Sequence, residues 1–347
     1  RGAPQEYICK IGAWQELENH LIERRVSNVL VLHGTRSWEV AKTFFPKMNQ
    51  IKCHYFHYKN ECSFENEEFF IELVREYQFD SIIAIGGGKV LDLGKLVAND
   101  CLIDCICLPT LASTCAAYTP VSVIYNQKGE MVDMKFFARG ISLTLVDPRI
   151  ILNSPVDYFV AGIGDTLAKW YESDAVISQL ENYPVELTIA KYSASECRKN
   201  LLEHGKKAIE DLKSGYLSES FVKVVETNIL LAGMVGGFGD RYGRTSGAHS
   251  IHDALTYLPN THKYLHGKKV AYGILVQLAI EEKREEIETL VHYYDEIDLP
   301  YTLAHLDIEI GDVDLIAEIS NKDELMHLLP QKISKEVIKL AILSLEA

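Results

Sequence analysis

Ser81-Ile82-Ile83-Ala84-Ile85 runs without a break into Gly86-Gly87-Gly88-Lys89, and a helical pattern follows to about Asn99. Four apolar residues after Ser81, three of them β-branched, predict a buried strand. The glycines predict a tight turn, and the residues beyond it predict a helix. A helix opening on glycines leaves its first-turn N–H groups free and lets a ligand approach the backbone closely. Its dipole favours an anion at that end. The corner therefore suits a pyrophosphate; the alternative is a tight strand-to-helix connection with no ligand. It is not the G-x-G-x-x-G fingerprint.

The same alternation extends on both sides of this corner. Ser27–His33 predicts a strand, followed by a turn at Gly34 and a helix to about Lys47. Ile51–Tyr58 predicts a second strand. Phe64–Tyr77 predicts a helix, with Phe69, Phe70, Leu73 and Val74 at helical spacing, and Cys105–Leu108 predicts another strand. Strands and helices joined by short connections predict a mostly parallel sheet covered on both faces. Val121–Tyr125 and Met131–Phe137, flanking Asn126-Gln127-Lys128-Gly129, predict a β-hairpin. Leu143–Val146 predicts one more strand. Ser154-Pro155-Val156-Asp157 then has the form of a helix start, with Ser154 as N-cap and proline at the first helical position. Beyond it the apolar residues keep helical periods almost to the end. The expected organisation is an α/β domain over residues 1–153 and an all-helical domain over 154–347.

Bulk properties bound the function. The chain has 347 residues, 47% hydrophobic and 24% charged, enough for sizeable cores without staples. A formal charge of -14 disfavours nucleic acid and anionic membranes as partners. Eight cysteines form no C-x-x-C pair, and Cys101, Cys105 and Cys107 are expected as core thiols of a buried strand. No signal-peptide pattern opens the sequence, and no apolar run is read as approaching the ~20 residues of a membrane span. A cytoplasmic protein is expected.

Four of the 12 histidines, His249, His252, His262 and His266, fall in one short span. His249 and His252 are three apart and share a helix face. Imidazole suits zinc and ferrous iron, although surface histidines on a helix and its loop would give the same spacing. Asp165 lies in the apolar stretch Ala161-Gly162-Ile163-Gly164-Asp165-Thr166-Leu167-Ala168. A carboxylate there is costly unless it is paired or bound to a metal. Lys169, four residues on, is the alternative partner.

With these residues in view, the chain resembles the iron-containing alcohol dehydrogenase superfamily, and within it the glycerol dehydrogenase-like branch. The resemblance is carried by IGGGKVLDLGKLVA at 85–98, PTLASTCAAYTPVSVIY at 109–125, VAGIGDTLAKWYE at 160–172, GAHSIHDALT at 247–256 and HGKKVAYG at 266–273. It implies an N-terminal Rossmann-like dinucleotide-binding domain, a C-terminal helical domain, a divalent metal and a homo-oligomer. It implies Asp165, His249 and His266 as metal ligands, and His252 near substrate and nicotinamide ribose as a link in a proton relay. Gly86, Gly87, Gly88, Lys89 and Asp92 correspond to the pyrophosphate turn. Thr110, Ser113, Thr119, Val121 and Tyr125 correspond to the nicotinamide side.

Three positions depart from the glycerol dehydrogenase pattern. Cys115 stands where those enzymes place an Asp that holds the polyol, and a thiol is a poor partner for hydroxyls. Lys169 stands where many iron-type members carry a further histidine. Three protein ligands then remain with an open position, as for catalytic zinc, so zinc is expected ahead of ferrous iron. The Lys169 ammonium could hold a substrate carboxylate; Arg241 and Arg244 are further candidates. Finally, no Asp follows the first strand near Gly34, and Arg36 is two residues on, which points to NADP(H) ahead of NAD(H). The combination of TCAAYTP at 114–120, GDTLAKWYE at 164–172 and MVGG at 234–237 resembles the hydroxycarboxylate dehydrogenases of the branch, which act on small 2-oxo acids such as 2-oxobutanoate and 2-oxoglutarate. The competing expectations are an NAD-linked polyol or alcohol dehydrogenase, a dehydroquinate synthase-like lyase, and a non-catalytic relative.

Overall fold

In the computed structural model, which describes Gly2 and residues 4–127 and 129–346, contacts divide the chain into two compact units. One comprises residues 1–154 with 215–217, the other residues 155–214 with 218–347.

The first unit is built on a six-stranded, wholly parallel sheet. Its strands are β1 (Tyr7–Cys9), β2 (Asn28–His33), β3 (Lys52–His57), β4 (Ser81–Gly86), β5 (Asp104–Pro109) and, after a hairpin, β8 (Leu143–Val146), in the order β1-β8-β5-β4-β2-β3. Strands β6 (Val121–Tyr125) and β7 (Met131–Phe136) pair antiparallel, as their turn signal predicts; Lys128 of that turn lies outside the described residues. Helices α1 (Leu17–Glu23), α2 (Thr35–Ala41), α3 (Phe64–Tyr77), α4 (Gly88–Cys101) and the single turn α5 (Pro148–Ile151) complete the unit. Every residue of β4 is buried, which fits the apolar run that marks a central parallel strand. Chain order reverses beside β4. The connection from β2 runs outward to β3, then returns across to β4, so the carboxyl ends of β2 and β4 flank a topological switch point. In open α/β sheets that is where ligands bind.

Several local expectations change. Helix α2 ends at Ala41 rather than near Lys47, because residues 42–44 form a turn and Trp38 and Phe45 pack edge-on instead of extending the helix. Strand β1 was not anticipated: three residues give too little pattern, and it is held at the sheet edge by pairing with β8. Next to it the Trp14 indole donates to the Leu145 carbonyl at 3.0 Å. Cys101 is the last residue of α4, not part of a strand, whereas Cys105 and Cys107 are buried on β5. Phe69 is an exposed member of α3.

The second unit is helical: α6 (Val156–Ile177), α7 (Val185–Ser214), α8 (Glu219–Glu226), α9 (Ala232–Gly239), α10 (Gly247–Leu255), α11 (His266–Ile280), α12 (Arg284–Ile297), α13 (Val313–Lys322) and α14 (Lys335–Ser344). Helix α6 begins one residue later than expected; Pro155 is its N-cap, and Ser154 does not cap it. The core around Ile251, Leu255, Tyr272, Val276, Ile316 and Ile342 ties α10, α11, α13 and α14 together. Residues Glu219–Tyr242 form one helical stretch that by length and composition could cross a membrane, contrary to the sequence expectation. Most of its apolar window, 61%, is buried inside the fold, as in a core helix.

Three helices meet backbone to backbone. A Cβ on Gly164 of α6 would fall inside the envelope of the Gly267 carbonyl of α11. One on Gly267 would enter the Ala161 carbonyl, and one on Gly273 would enter the Ala248 carbonyl of α10. Glycine at these three positions permits a closeness no other residue allows, and it sets Asp165, His249 and His266 around one point.

Candidate metal centre and glycine corner

Asp165 projects from the third turn of α6, on its buried face, His249 from the first turn of α10, and His266 is the first residue of α11. Their ligand atoms all lie within 4.8 Å of one another. Asp165 Oδ1 is 3.4 Å from His249 Nε2 and 3.3 Å from His266 Nε2, yet this buried oxygen makes no hydrogen bond. A buried carboxylate oxygen without a donor is expensive, and a cation between the three side chains would satisfy it. The donor set, one oxygen and two imidazole nitrogens, fits zinc or ferrous iron.

Both imidazoles are held from behind. His249 Nδ1 lies 2.7 Å from Glu172 Oε2, and the other Glu172 oxygen accepts from the backbone N–H groups of Ser246 (2.6 Å) and His249 (2.9 Å). His266 Nδ1 lies 2.9 Å from His252 Nε2, and His252 Nδ1 lies 2.8 Å from Asp253 Oδ1. If Asp253 accepts from Nδ1–H of His252, then His252 Nε2 must accept from Nδ1–H of His266. On that assignment His266 turns a bare Nε2 toward Asp165. Glu172 likewise calls for Nδ1–H on His249, the outer contact typical of metal-bound histidine.

Electrostatics draw positive charge to this spot. Burial opposes ionisation of Asp165, but the Lys169 ammonium and the two imidazoles outweigh it and hold the carboxyl well below its ordinary range. Burial also opposes charge on Glu172, which the His249 ring and Lys169 overcome, keeping it ionised. For His249, desolvation would lower the pKa, but Glu172 and Asp165 lift it to about 9. Burial, then His266 and His249, push His252 well below its usual value, so it is neutral.

Of the remaining expected residues of this unit, Lys169 stays beside the cluster and the others lie apart. Lys169 is buried one turn beyond Asp165, and its ammonium donates to the Arg244 carbonyl at 3.3 Å. The Arg244 guanidinium donates to Asp240, whereas Arg241 is exposed against its neighbour Tyr242. His262 is exposed and bonds the Thr256 carbonyl, so it does not join the cluster. The sequence reading missed Glu172 and Asp253. Glu172 follows Asp165 by seven residues, two helical turns, which places both on one face; that spacing was the available signal.

In the sheet unit, Gly86 closes β4, Gly87 is the N-cap of α4 and Gly88 its first residue, and no side chain caps the helix. A Cβ on Gly86 would meet Val90 Cγ2 at 2.8 Å, and one on Gly87 would meet Leu111 Cδ1 at 2.9 Å. Gly34 is buried at the end of β2 as N-cap of α2, and Arg36 is exposed in the first turn of that helix. The Lys89 ammonium is bonded to Glu61 at 2.7 Å and lies 4.7 Å from the Tyr125 ring centre. Asp92 is buried and engaged by Lys95 at 2.8 Å and by the Val123 N–H at 3.2 Å. Thr110, Thr119 and Val121 are buried, whereas Ser113 and Cys115 are partly exposed along the segment between β5 and β6.

A parallel sheet with a glycine corner at its switch point, followed by a helical unit, is the architecture of a dinucleotide-dependent enzyme class, and the relatives of the chain identify that class as alcohol-type dehydrogenases. Residues 4–148 match the family described as iron-containing alcohol dehydrogenase. The chain is 35% identical to hydroxycarboxylate dehydrogenase A of Escherichia coli over 351 residues, covering 99% of this chain and 96% of that protein. It is 34% identical to glycerol dehydrogenase of Thermotoga maritima, covering 98% and 94%. A probable glycerol dehydrogenase structure from Sinorhizobium meliloti superposes with a TM-score of 0.87 at 28% identity, covering 99% and 97%. The chain belongs to the iron-containing alcohol dehydrogenase family, and it is an NAD(P)-dependent oxidoreductase acting on CH–OH groups.

Proposed function

We propose that the enzyme interconverts small 2-oxo acids and 2-hydroxy acids, using Asp165, His249 and His266 to hold one divalent ion, zinc before ferrous iron. A divalent ion held there would polarise the substrate oxygen as a Lewis acid and favour the alkoxide form of the alcohol. The observation that carries the reading is the buried Lys169 ammonium. It stands one turn from Asp165, close enough to influence the charge of Asp165, Glu172 and His249. A substrate whose oxygen meets the three-residue cluster would bring an adjacent carboxylate toward that ammonium. A neutral polyol gains nothing comparable. The similarity to hydroxycarboxylate dehydrogenase A supports the same class.

The dinucleotide would lay its pyrophosphate on the free amides of Gly88 and Lys89, at the positive end of α4. Arg36 follows the switch-point strand β2, and no carboxylate stands at Gly34 or Thr35 to repel a 2′-phosphate. We therefore place NADP(H) ahead of NAD(H).

A rate matrix of 2-oxobutanoate, 2-oxoglutarate, glycerol and a neutral aldehyde against both cofactors tests the assignment in metal-replete protein. A 2-oxo acid should give the highest kcat/KM. Lys169→Ala should lower kcat/KM for 2-oxo acids at least tenfold more than for the aldehyde, about 1.4 kcal/mol of selective binding. Equal losses on both, or glycerol with NAD as the best pair, would remove the carboxylate assignment.

A further inference from the structure

We infer that Glu172 is a positioning residue that sets the metal affinity of the site through the tautomer of His249; this rests on the reading of Asp165, His249 and His266 as ligands. Helix α10 has no side-chain cap of its own: its N-cap is Ser246, whose hydroxyl makes no hydrogen bond. The missing acceptors come from two other helices. Glu172 of α6 takes the amides of Ser246 and His249, and Gln277 Oε1 of α11 takes the amide of Ala248 at 3.0 Å. Glu172 is 1% exposed, so solvent cannot substitute for it.

The second Glu172 oxygen lies 2.7 Å from His249 Nδ1, placed to accept from it. It demands Nδ1–H, so Nε2 is the nitrogen left to take a cation beside Asp165. One carboxylate thus caps the helix that carries a ligand and orients the ligand's ring. The two tasks are separable by chemistry. In Glu172→Gln the carbonyl oxygen can still accept from the two backbone amides, but the NH2 group now faces His249 Nδ1. That donor requires a bare Nδ1, so the proton moves to Nε2 and faces the cation position. The substitution keeps the cap and inverts the tautomer.

The test is Co2+ titration of apoprotein, followed by the d–d absorption of the bound ion, with melting temperature and far-UV circular dichroism as fold controls. Glu172→Gln should retain the wild-type spectrum of secondary structure and bind Co2+ 10- to 100-fold more weakly. By 15N NMR its apoprotein should show His249 bare at Nδ1 and protonated at Nε2, whereas wild-type apoprotein carries a proton on Nδ1. Zn2+-loaded wild type should show His249 with a proton on Nδ1 and none on Nε2. Wild-type Co2+ affinity in a folded Glu172→Gln variant would overturn the inference, leaving Glu172 as a cap alone. If that variant fails to fold, the Zn2+-loaded wild-type spectrum decides: a His249 bound through Nε2 but without a proton on Nδ1 overturns it. Failure of wild type itself to bind Co2+ or Zn2+ would instead sink the ligand assignment on which the inference stands.

Discussion

Lys95 is the residue whose role is hardest to see in a sequence and plainest in three dimensions. The residue is 3% exposed, and its ammonium is paired with Asp92 at 2.8 Å and donates to the carbonyls of Ala116 (2.8 Å), Thr119 (3.0 Å) and Val121 (2.5 Å). It pins the segment between β5 and β6 from beneath. Lys95→Met would strand a buried carboxylate and three carbonyls, so we expect a loss of about 3–5 kcal/mol in urea unfolding. Adding Asp92→Asn should recover part of it, because the uncompensated charge goes too. A single-mutant cost below about 1 kcal/mol would mean that water or neighbouring groups already replace the ammonium. An i,i+3 acid–lysine pair on a helix reads the same whether it faces solvent or core, so one sequence cannot announce this pin. Asp165 was easier: an acid amid glycines and apolar residues has no inexpensive place to go. Glu172 sat in the same stretch, but its two acceptor tasks depend on helix α10, some 75 residues away, and nothing local encodes that.

At the scale of elements, the glycines decide how three helices pack. Small residues let α6, α10 and α11 approach until carbonyls occupy the space a Cβ would need. Gly267→Ala should therefore cost about 3 kcal/mol or more, beyond ordinary overpacking, because its obstacle is the Ala161 backbone and not a mobile side chain. Displacing α11 also carries His266 away from Asp165, so Co2+ affinity should fall in the same variant. Gly311→Ala is the control: nothing lies within 4 Å of its Cβ, and its effect should stay within about 1 kcal/mol, on the stabilising side. Equal melting temperatures for the two variants would show that the helices can part without cost. The sheet elements were legible because apolar runs and glycine turns are local signals. The end of α2 and the strand β1 were not, because one is set by aromatic packing and the other by a partner strand more than 130 residues away.

At the scale of the whole molecule, the two units differ in what a metal could do for them. All three ligand candidates, and the Glu172, His252 and Asp253 side chains behind them, belong to the helical unit. An ion bound there stabilises only the state in which α6, α10 and α11 are assembled, by about 4.1 kcal/mol at a thousandfold excess over Kd. Chelation should therefore act unevenly. Hydrogen exchange in EDTA-treated protein should accelerate at the amides of α6, α10 and α11, while β2, β4 and β5 keep their protection. The sheet draws its stability from a separate apolar core of Trp14, Val31, Ile83, Ile85, Ile106 and Leu145. Equal acceleration in strands and helices would show that the two units open as one cooperative block. No change anywhere, in protein shown to have carried metal, would place the ion outside the helical unit and away from Asp165.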